Sequence, residues 1–137
     1  MKLIESIDSI YPAEIIFNIN KLEEKLTPNV EVEIQVGMAV EELKMNDQGN
    51  FRAIVSFMLR FGDDEENEIL LKLSHQVDFT SLKENFNISD VESNFVLFEI
   101  VEPYVRFRFN ELTSQTKFSS LDIPYRFWEM ASDGSKL

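Results

Sequence analysis

The chain has 137 residues, a formal net charge of −12 and no cysteine. This length suits one domain, residues 1–137, with enough interior for an apolar core, and the lack of cysteine excludes disulfides, thiol catalysis and cysteine-ligated zinc. The acidic excess disfavours nucleic acid as the main ligand. No apolar run approaches the roughly 18 residues of a membrane span, and acidic residues interrupt the N-terminal stretch, unlike a signal peptide. We therefore expect a cytoplasmic protein without membrane insertion.

Alternating apolar and polar residues predict four strands in the first part of the chain. Polar turn sequences at 45–50 and 62–66 predict hairpins between the last three strands. Pro12 has no N–H to donate to a strand ladder, so the first strand is expected at a sheet edge or interrupted there. The alternation does not determine the order of the strands. The predicted strands are residues 7–19, 30–41, 50–61 and 67–79.

After residue 90 the apolar spacing changes to three and four residues, which predicts a helix of about 24 residues. Asp90 is the expected N-cap, and Pro103 is expected to kink or break the helix. Apolar residues also occupy other helix faces, so we expect a second copy or another protein to cover them. The main stripe is Val91, Phe95, Phe98, Val101 (or Glu102), Val105, Phe109 and Leu112, and the other apolar residues are Val96, Leu97, Ile100, Tyr104 and Phe107.

These elements predict an α+β fold, a four-stranded antiparallel sheet with the long C-terminal helix packed on one face. The 12 phenylalanines, about twice ordinary usage, either fill the core of this fold or contact a partner. Phe51, Phe57 and Phe79 follow the strand alternation, which favours the core. For Phe86, Phe127 and Trp128 the core and a binding surface remain equal alternatives.

The sequence contains no motif of an enzyme, metal or cofactor site. The only histidine, His75, lies on the apolar side of a predicted strand and is expected to be packed there rather than to act as a base. The four glycines are isolated, unlike those of a phosphate-binding loop. The acidic run at 63–68 lacks the spacing of a calcium loop. We therefore expect a non-enzymatic protein without a cofactor, whose function depends on its surfaces.

Three segments, taken in order, resemble the SecB family of protein-export chaperones. Ile10-Tyr11 with Glu14 and Phe17 is similar to the family's opening strand. Residues 96–106, which contain Leu-Phe and Pro-Tyr-Val-Arg, are similar to its helix, and residues 121–127 resemble its Leu-Asn-Leu-Ala-Pro-Val-Asn-Phe segment. The layout is also similar: a strand, a crossover, a three-stranded meander, a loop and a long helix. The resemblance covers roughly residues 4–128.

The resemblance implies an ATP-independent holdase that assembles as a homotetramer, a dimer of dimers, with helices packed between sheets. It implies that unfolded clients bind along apolar grooves between the sheet, the loop after the strands and the C-terminal segment. Together with the helix pattern, it assigns an oligomer interface to Phe95, Phe98, Val105 and Phe109. The client-binding residues that it suggests are Phe79, Phe86, Ile88, Leu121, Ile123, Phe127 and Trp128.

Several partners agree with this resemblance. The clients would be unfolded preproteins for export, or an antitoxin of a toxin–antitoxin module. In the SecB family the export motor SecA docks on an acidic outer sheet face, where Glu14 matches one acidic position but Asn18 and Lys72 replace expected acids. One alternative is a non-enzymatic binding or inhibitory protein whose acidic sheet face binds one folded, basic partner. A small-ligand enzyme is a third.

Overall fold

The structure, a computed structural model, describes residues 4–25, 34–46, 48–61, 69–81, 90–114 and 116. These residues form a four-stranded antiparallel sheet with a long helix on one face, which confirms the predicted α+β fold. The elements in chain order are β1 (Ser6–Phe17), α1 (Ile19–Lys25), β2 (Ile34–Met45), β3 (Asn50–Phe61), β4 (Leu71–Thr80) and α2 (Val91–Thr113).

The strand order of the sheet is β1-β4-β3-β2. The chain therefore crosses from one edge to the other between β1 and β2, and the β2–β3–β4 meander returns to lie beside β1. All neighbouring strands are antiparallel. The strand order confirms the predicted edge position of the first strand, a position in which a proline is tolerated.

Two irregularities in β1 break the strict alternation that the sequence predicts. They lie between Ile7 and Ser9 and just after Pro12, and each shifts the parity of the side chains that follow. Tyr11, predicted to share a face with Ile7 and Ile15, therefore lies on the opposite, outer face of the sheet. Ile7 and Ile15 lie on the face that carries α2.

A third irregularity lies in β2, between Val40 and Glu42. Before it, the alternation is as predicted, and after it Leu43 points to the same face as Val40. The strand consequently continues to Met45, beyond its predicted end. Residues 30–33 of the predicted strand lie outside the described residues.

The short helix α1 is a correction, because the alternation extends the predicted first strand to Ile19. Asn18 ends the strand pairing, and its Oδ1 accepts a hydrogen bond from the Lys21 backbone N–H at 3.3 Å. This is the interaction of an N-cap residue. The residue type at Asn18 was the local signal for a helix start, and strand alternation alone does not detect it.

The β2–β3 hairpin depends on one asparagine and one glycine. Asn46 Oδ1 accepts hydrogen bonds from the backbone N–H groups of Gln48 and Asn50, at 2.9 and 3.0 Å. Gly49 has a φ of 80°, and a Cβ there would lie 2.7 Å from the Ser81 carbonyl oxygen. The turn therefore requires glycine both for its left-handed backbone and for this close approach.

The helix α2 has 23 residues and begins at the predicted N-cap. The Asp90 carboxylate accepts a hydrogen bond from the Glu92 backbone N–H at 3.1 Å. Pro103 lies inside the helix, which continues through it to Thr113. The predicted start and length are confirmed, and the expected break at Pro103 does not occur.

The core lies between α2 and the sheet and is built from aromatic and aliphatic side chains of both. Phe57 and Phe109 meet edge to face, with ring centres 6.0 Å apart. Phe51 stacks on Phe79 with ring centres 5.1 Å apart. Leu97, expected on another face of the helix, is fully buried in this core.

This packing buries several residues for which a binding or interface role was predicted. Phe98, Val105 and Phe109, assigned to an oligomer interface, are buried within one chain, because the helix turns its main stripe toward its own sheet. Phe95 is partly buried against the same core, with its ring centre 6.1 Å from that of Phe98. Phe79, assigned to client binding, is fully buried.

Candidate functional site: an apolar groove beside the edge strand

The helix α2 covers the sheet unevenly. It packs on β2, β3 and β4, whereas β1 leaves apolar side chains exposed on the helix side. Ile15, opposite Leu73, is 45% exposed, and Ile7, opposite Phe79, is 47% exposed. The helix side of the edge strand is therefore partly open: Ile7 and Ile15 are exposed, while Ile10 and Phe17 pack against the core.

A second apolar stripe on α2 runs from partly buried residues, of which Ile100 packs against the core, to exposed ones. Val96, Ile100, Tyr104 and Phe107 follow each other at helical spacing. Tyr104 is 48% exposed and Phe107 is 67% exposed. The prediction that apolar residues occupy more than the main stripe of this helix is confirmed for these two positions.

A groove with a cavity volume of about 460 Å³ lies between the edge strand and this stripe. Its volume is in the range of ligand sites in proteins, roughly 300–1,000 Å³. Two of its residues are prolines, which have no backbone N–H to offer a ligand. We call it the β1–α2 groove, and it is lined by Pro12 of β1, His75 of β4, and Pro103, Tyr104, Phe107 and Arg108 of α2.

His75 is the only histidine of the chain and lines this groove. It is 4% exposed, its ring centre lies 6.2 Å from that of Tyr104, and its Nδ1 is buried without a hydrogen-bond partner among the described residues. Burial lowers the pKa of His75, and the positive charge of Arg108 lowers it further. The imidazole is therefore neutral at pH 7 and carries an unsatisfied nitrogen, which is rare in a native interior.

Arg108 is the only cationic side chain among the residues that line the groove. Its Nη1 donates a hydrogen bond to Glu111 Oε1 at 2.6 Å. Since a guanidinium has five N–H groups, this ion pair uses only part of its donor capacity. The groove thus combines apolar walls with one guanidinium and one buried imidazole.

The opposite, outer face of the sheet, expected to be acidic, carries cationic side chains beside its carboxylates. Near its centre, Lys72 Nζ lies 3.2 Å from Glu14 Oε1 and 2.9 Å from Glu41 Oε1. The hydrogen bond with Glu41 is the main cause that raises the pKa of Lys72, against the opposing effect of burial. Beside this triad, the hydroxyls of Ser56 and Ser74 share a buried hydrogen bond of 2.7 Å. Glu14 is therefore paired within the chain.

Asp78 forms a second ion pair on the outer face. Its Oδ1 accepts a hydrogen bond from Arg52 Nε at 3.0 Å, and its Oδ2 accepts one from Ser9 Oγ at 2.9 Å. Burial acts to raise the pKa of Asp78, but the hydrogen bonds from Arg52, Ser9 and Gln76 outweigh it and lower the pKa. Internal pairing therefore reduces the negative potential that this face offers to a partner.

The structure brings few of the predicted site residues together. Glu14 lies on the outer face, as expected for a docking position, and Phe79 lies in the core. Six predicted client-binding residues lie outside the described residues, so their predicted role stays a prediction. They are Phe86, Ile88, Leu121, Ile123, Phe127 and Trp128.

Sequence reasoning did not find the β1 side of the groove. The alternation places Ile15 on the apolar face of its strand, but it does not show that the helix leaves this strand uncovered. Pro12 was the one local signal, since it predicts an edge strand. The sequence predicts Tyr104 and Phe107 on helix faces other than the main stripe. It does not show that Pro12 of β1 lies opposite them and forms the other wall of a groove.

Comparisons of the chain with known protein families, with curated proteins and with solved structures find no match. The resemblance to the SecB family therefore stays a prediction from the segments quoted above. Within the described ranges, no helix has both the length and the apolar composition to cross a membrane.

Proposed function

We propose that this chain is a cytoplasmic, ATP-independent chaperone of the holdase type, which binds unfolded polypeptides through the β1–α2 groove. The supporting observation is that Tyr104 and Phe107 of α2 line an open groove together with Pro12 of β1, while Ile7 and Ile15 of β1 are exposed on the same side of the sheet. Unfolded chains expose the apolar side chains that folded proteins hide. An apolar surface without a fixed polar pattern therefore favours unfolded clients over one folded partner.

The proposed activity is binding without a chemical step. Burying one large apolar side chain contributes roughly 1.5–3 kcal/mol, so a few such contacts are enough for the roughly 8 kcal/mol of a micromolar complex. Affinity of this order allows both capture and spontaneous release. This agrees with the absence of a phosphate-binding loop from the sequence.

The proposed assembly is a homo-oligomer, with the dimer of dimers that the SecB resemblance implies. Apolar surface of α2 outside the β1–α2 groove supports an interface different from the one predicted. Phe98, Val105 and Phe109 are covered within their own chain, whereas Val91, which does not line the groove, is 50% exposed. The proposed clients are unfolded preproteins or an antitoxin.

The alternative function, binding of one folded, basic partner to the outer sheet face, has weaker support. A basic partner would compete with Lys72 for Glu14 and Glu41, and with Arg52 for Asp78. Each of these contacts with a partner would break an ion pair within the chain. The same cost applies to SecA docking at Glu14.

An aggregation assay with a chemically unfolded substrate tests the proposed function. We expect a stoichiometric excess of the protein to suppress aggregation equally with and without ATP. The double variant Ile15→Ser with Phe107→Ser should lose most of this suppression, because it removes exposed apolar surface from the helix side of β1 and from the α2 wall of the groove. Ile16→Ser, on the outer face, is the control and should behave like the wild type. Absence of suppression by the wild type, or binding of folded substrate alone, contradicts the proposal.

A further inference from the structure

The β1–α2 groove contains polar groups that apolar client side chains would leave unused. His75 Nδ1 is buried without a partner in the part of the chain that the structure describes, and Arg108 gives one hydrogen bond to Glu111 and has further donors. A buried, unsatisfied nitrogen is unfavourable. A ligand that brings an anion into the groove would neutralise the Arg108 guanidinium beside the His75 ring.

We propose that the β1–α2 groove recognises the C-terminal carboxylate of a polypeptide that ends in apolar residues. This inference rests on the proposed function, because it names the part of the client that the groove selects. The carboxylate pairs with the Arg108 guanidinium near His75, in the geometry that arginine forms with carboxylates. The last apolar side chains pack against Pro12, Pro103 and Phe107.

The shape of the groove favours the end of a chain over its middle. A cavity of about 460 Å³ is the size of a small-ligand site rather than of a channel that runs the length of a strand. An extended client segment would also pair with the edge of β1, but Pro12 and the irregularity that follows it interrupt that edge. A chain terminus can enter the groove without such pairing.

The charges around His75 favour an anion. From α2 the facing groups are Tyr104 and Arg108, and Glu111 acts only through its pair with Arg108. On β1 the neighbour is Pro12, and on β3 it is Val55, neither of which ionises. The negative charge of Glu14 lies on the other face of the sheet. A carboxylate bound in the groove would therefore raise the pKa of His75.

Because the chain has one histidine, the NMR signal of its imidazole reports on the groove without assignment. The probes are acetyl-Ala-Leu-Phe with a free carboxylate, the same peptide as its C-terminal amide, and acetyl-Ala-Asp-Leu-Phe-amide, which carries its carboxylate on an internal side chain. We expect the full chain to bind the free acid at least about tenfold more tightly than either amide. Only the free acid should raise the pKa of His75 in an NMR titration.

Substitutions in and near the groove test whether Arg108 is the group that binds the carboxylate. Arg108→Gln should bind the acid and the amides alike, whereas Arg106→Gln, which does not line the groove, should keep the preference. Glu111→Gln should strengthen binding of the acid several-fold and leave the amides unchanged, since it removes the competing carboxylate.

Equal affinity for the acid and its amide in the wild type, or a preference for the acid that survives in Arg108→Gln, overturns the inference. If the internal aspartate peptide binds as tightly as the free acid, the C-terminal assignment is also overturned. In each of these cases the holdase proposal stands if unfolded substrate is still bound. Conversely, an acid preference in a protein that does not suppress aggregation supports the carboxylate site and contradicts the holdase proposal.

Discussion

Ile15 and Ile16 are consecutive in β1 and are 45% and 42% exposed, but they lie on opposite faces of the sheet. Ile15, opposite Leu73, lies on the groove side, and Ile16, opposite Lys72, lies on the outer side. A substitution at either position removes a similar amount of exposed apolar surface. The two isoleucines therefore form a matched pair for deciding which face binds clients.

Ile15→Ser should weaken binding of a chemically unfolded substrate by about tenfold, because it removes an apolar contact of roughly 1.5–3 kcal/mol. Ile16→Ser should change the affinity by less than about twofold. Titration calorimetry on the two variants measures both values. The reverse order of effects would place client binding on the outer face.

Phe109 and Phe107 are two residues apart in α2 but differ in burial, at 2% and 67% exposed. Phe109→Ala should lower the free energy of unfolding by about 3–5 kcal/mol, because it leaves a cavity beside Phe57. Phe107→Ala should change it by no more than about 0.5 kcal/mol. Urea unfolding monitored by circular dichroism measures both. A large loss at Phe107 would mean that another chain covers this side chain.

Self-association should depend on apolar surface of α2 outside the β1–α2 groove, where Val91 is 50% exposed. Light scattering at micromolar concentration should show a dimer or tetramer for the wild type, and a smaller species for Val91→Asp, because a charge at the interface opposes its burial. Ile16→Asp, which introduces the same charge on the outer face, serves as the control. A strictly monomeric wild type would contradict the proposed oligomer.

The stability of the protein should fall as the pH drops below the ordinary histidine pKa of 6.5. Burial and Arg108 hold the pKa of His75 below this value in the folded state. The unfolded chain therefore binds more protons than the folded chain in this window, and protonation favours unfolding. This loss of stability from His75 protonation is absent above pH 6.5 and is complete once the pH has passed below the lowered pKa of His75.

His75→Gln should remove this dependence between neutral pH and the lowered pKa of His75. The measurement is the slope of unfolding free energy against pH in urea titrations, compared between wild type and variant. The slope is informative even if glutamine changes the absolute stability. An identical slope in both proteins would show that other groups account for the dependence.

Lys72 forms ion pairs with two carboxylates from different strands. Its substitution should therefore lower the free energy of unfolding more than substitution of either partner. Lys72→Met keeps the length of the side chain but leaves Glu14 and Glu41 without their cation, and we expect a loss of about 1 kcal/mol. Glu14→Gln should cost less than this, since Glu41 remains paired. Double-mutant cycles on these three residues give the pair energies. Additive losses would mean that the triad does not act as a unit.

Local patterns in the sequence predicted the types of the main elements. Three of these patterns depend only on backbone geometry over a few residues: the alternation of β3, the change of spacing after residue 90 and the N-cap at Asp90. For the same reason Pro12 predicted an edge strand. The irregularities of β1 and β2 and the helix α1 were not predicted, because each depends on where a strand stops pairing with its neighbour.

The sequence by itself determined that this chain forms strands and one long helix, and that the helix has more apolar surface than one sheet can cover. Tertiary structure alone decided which stripe of α2 faces the sheet, and that Ile7 and Ile15 of β1 stay exposed on the same side. It also brought His75 and Arg108 to the same groove as Pro12, and paired Glu14 with Lys72. Periodicity reports which face of one element is apolar, whereas these relationships join residues far apart in the chain. They depend on strand order and on the packing of the helix across it.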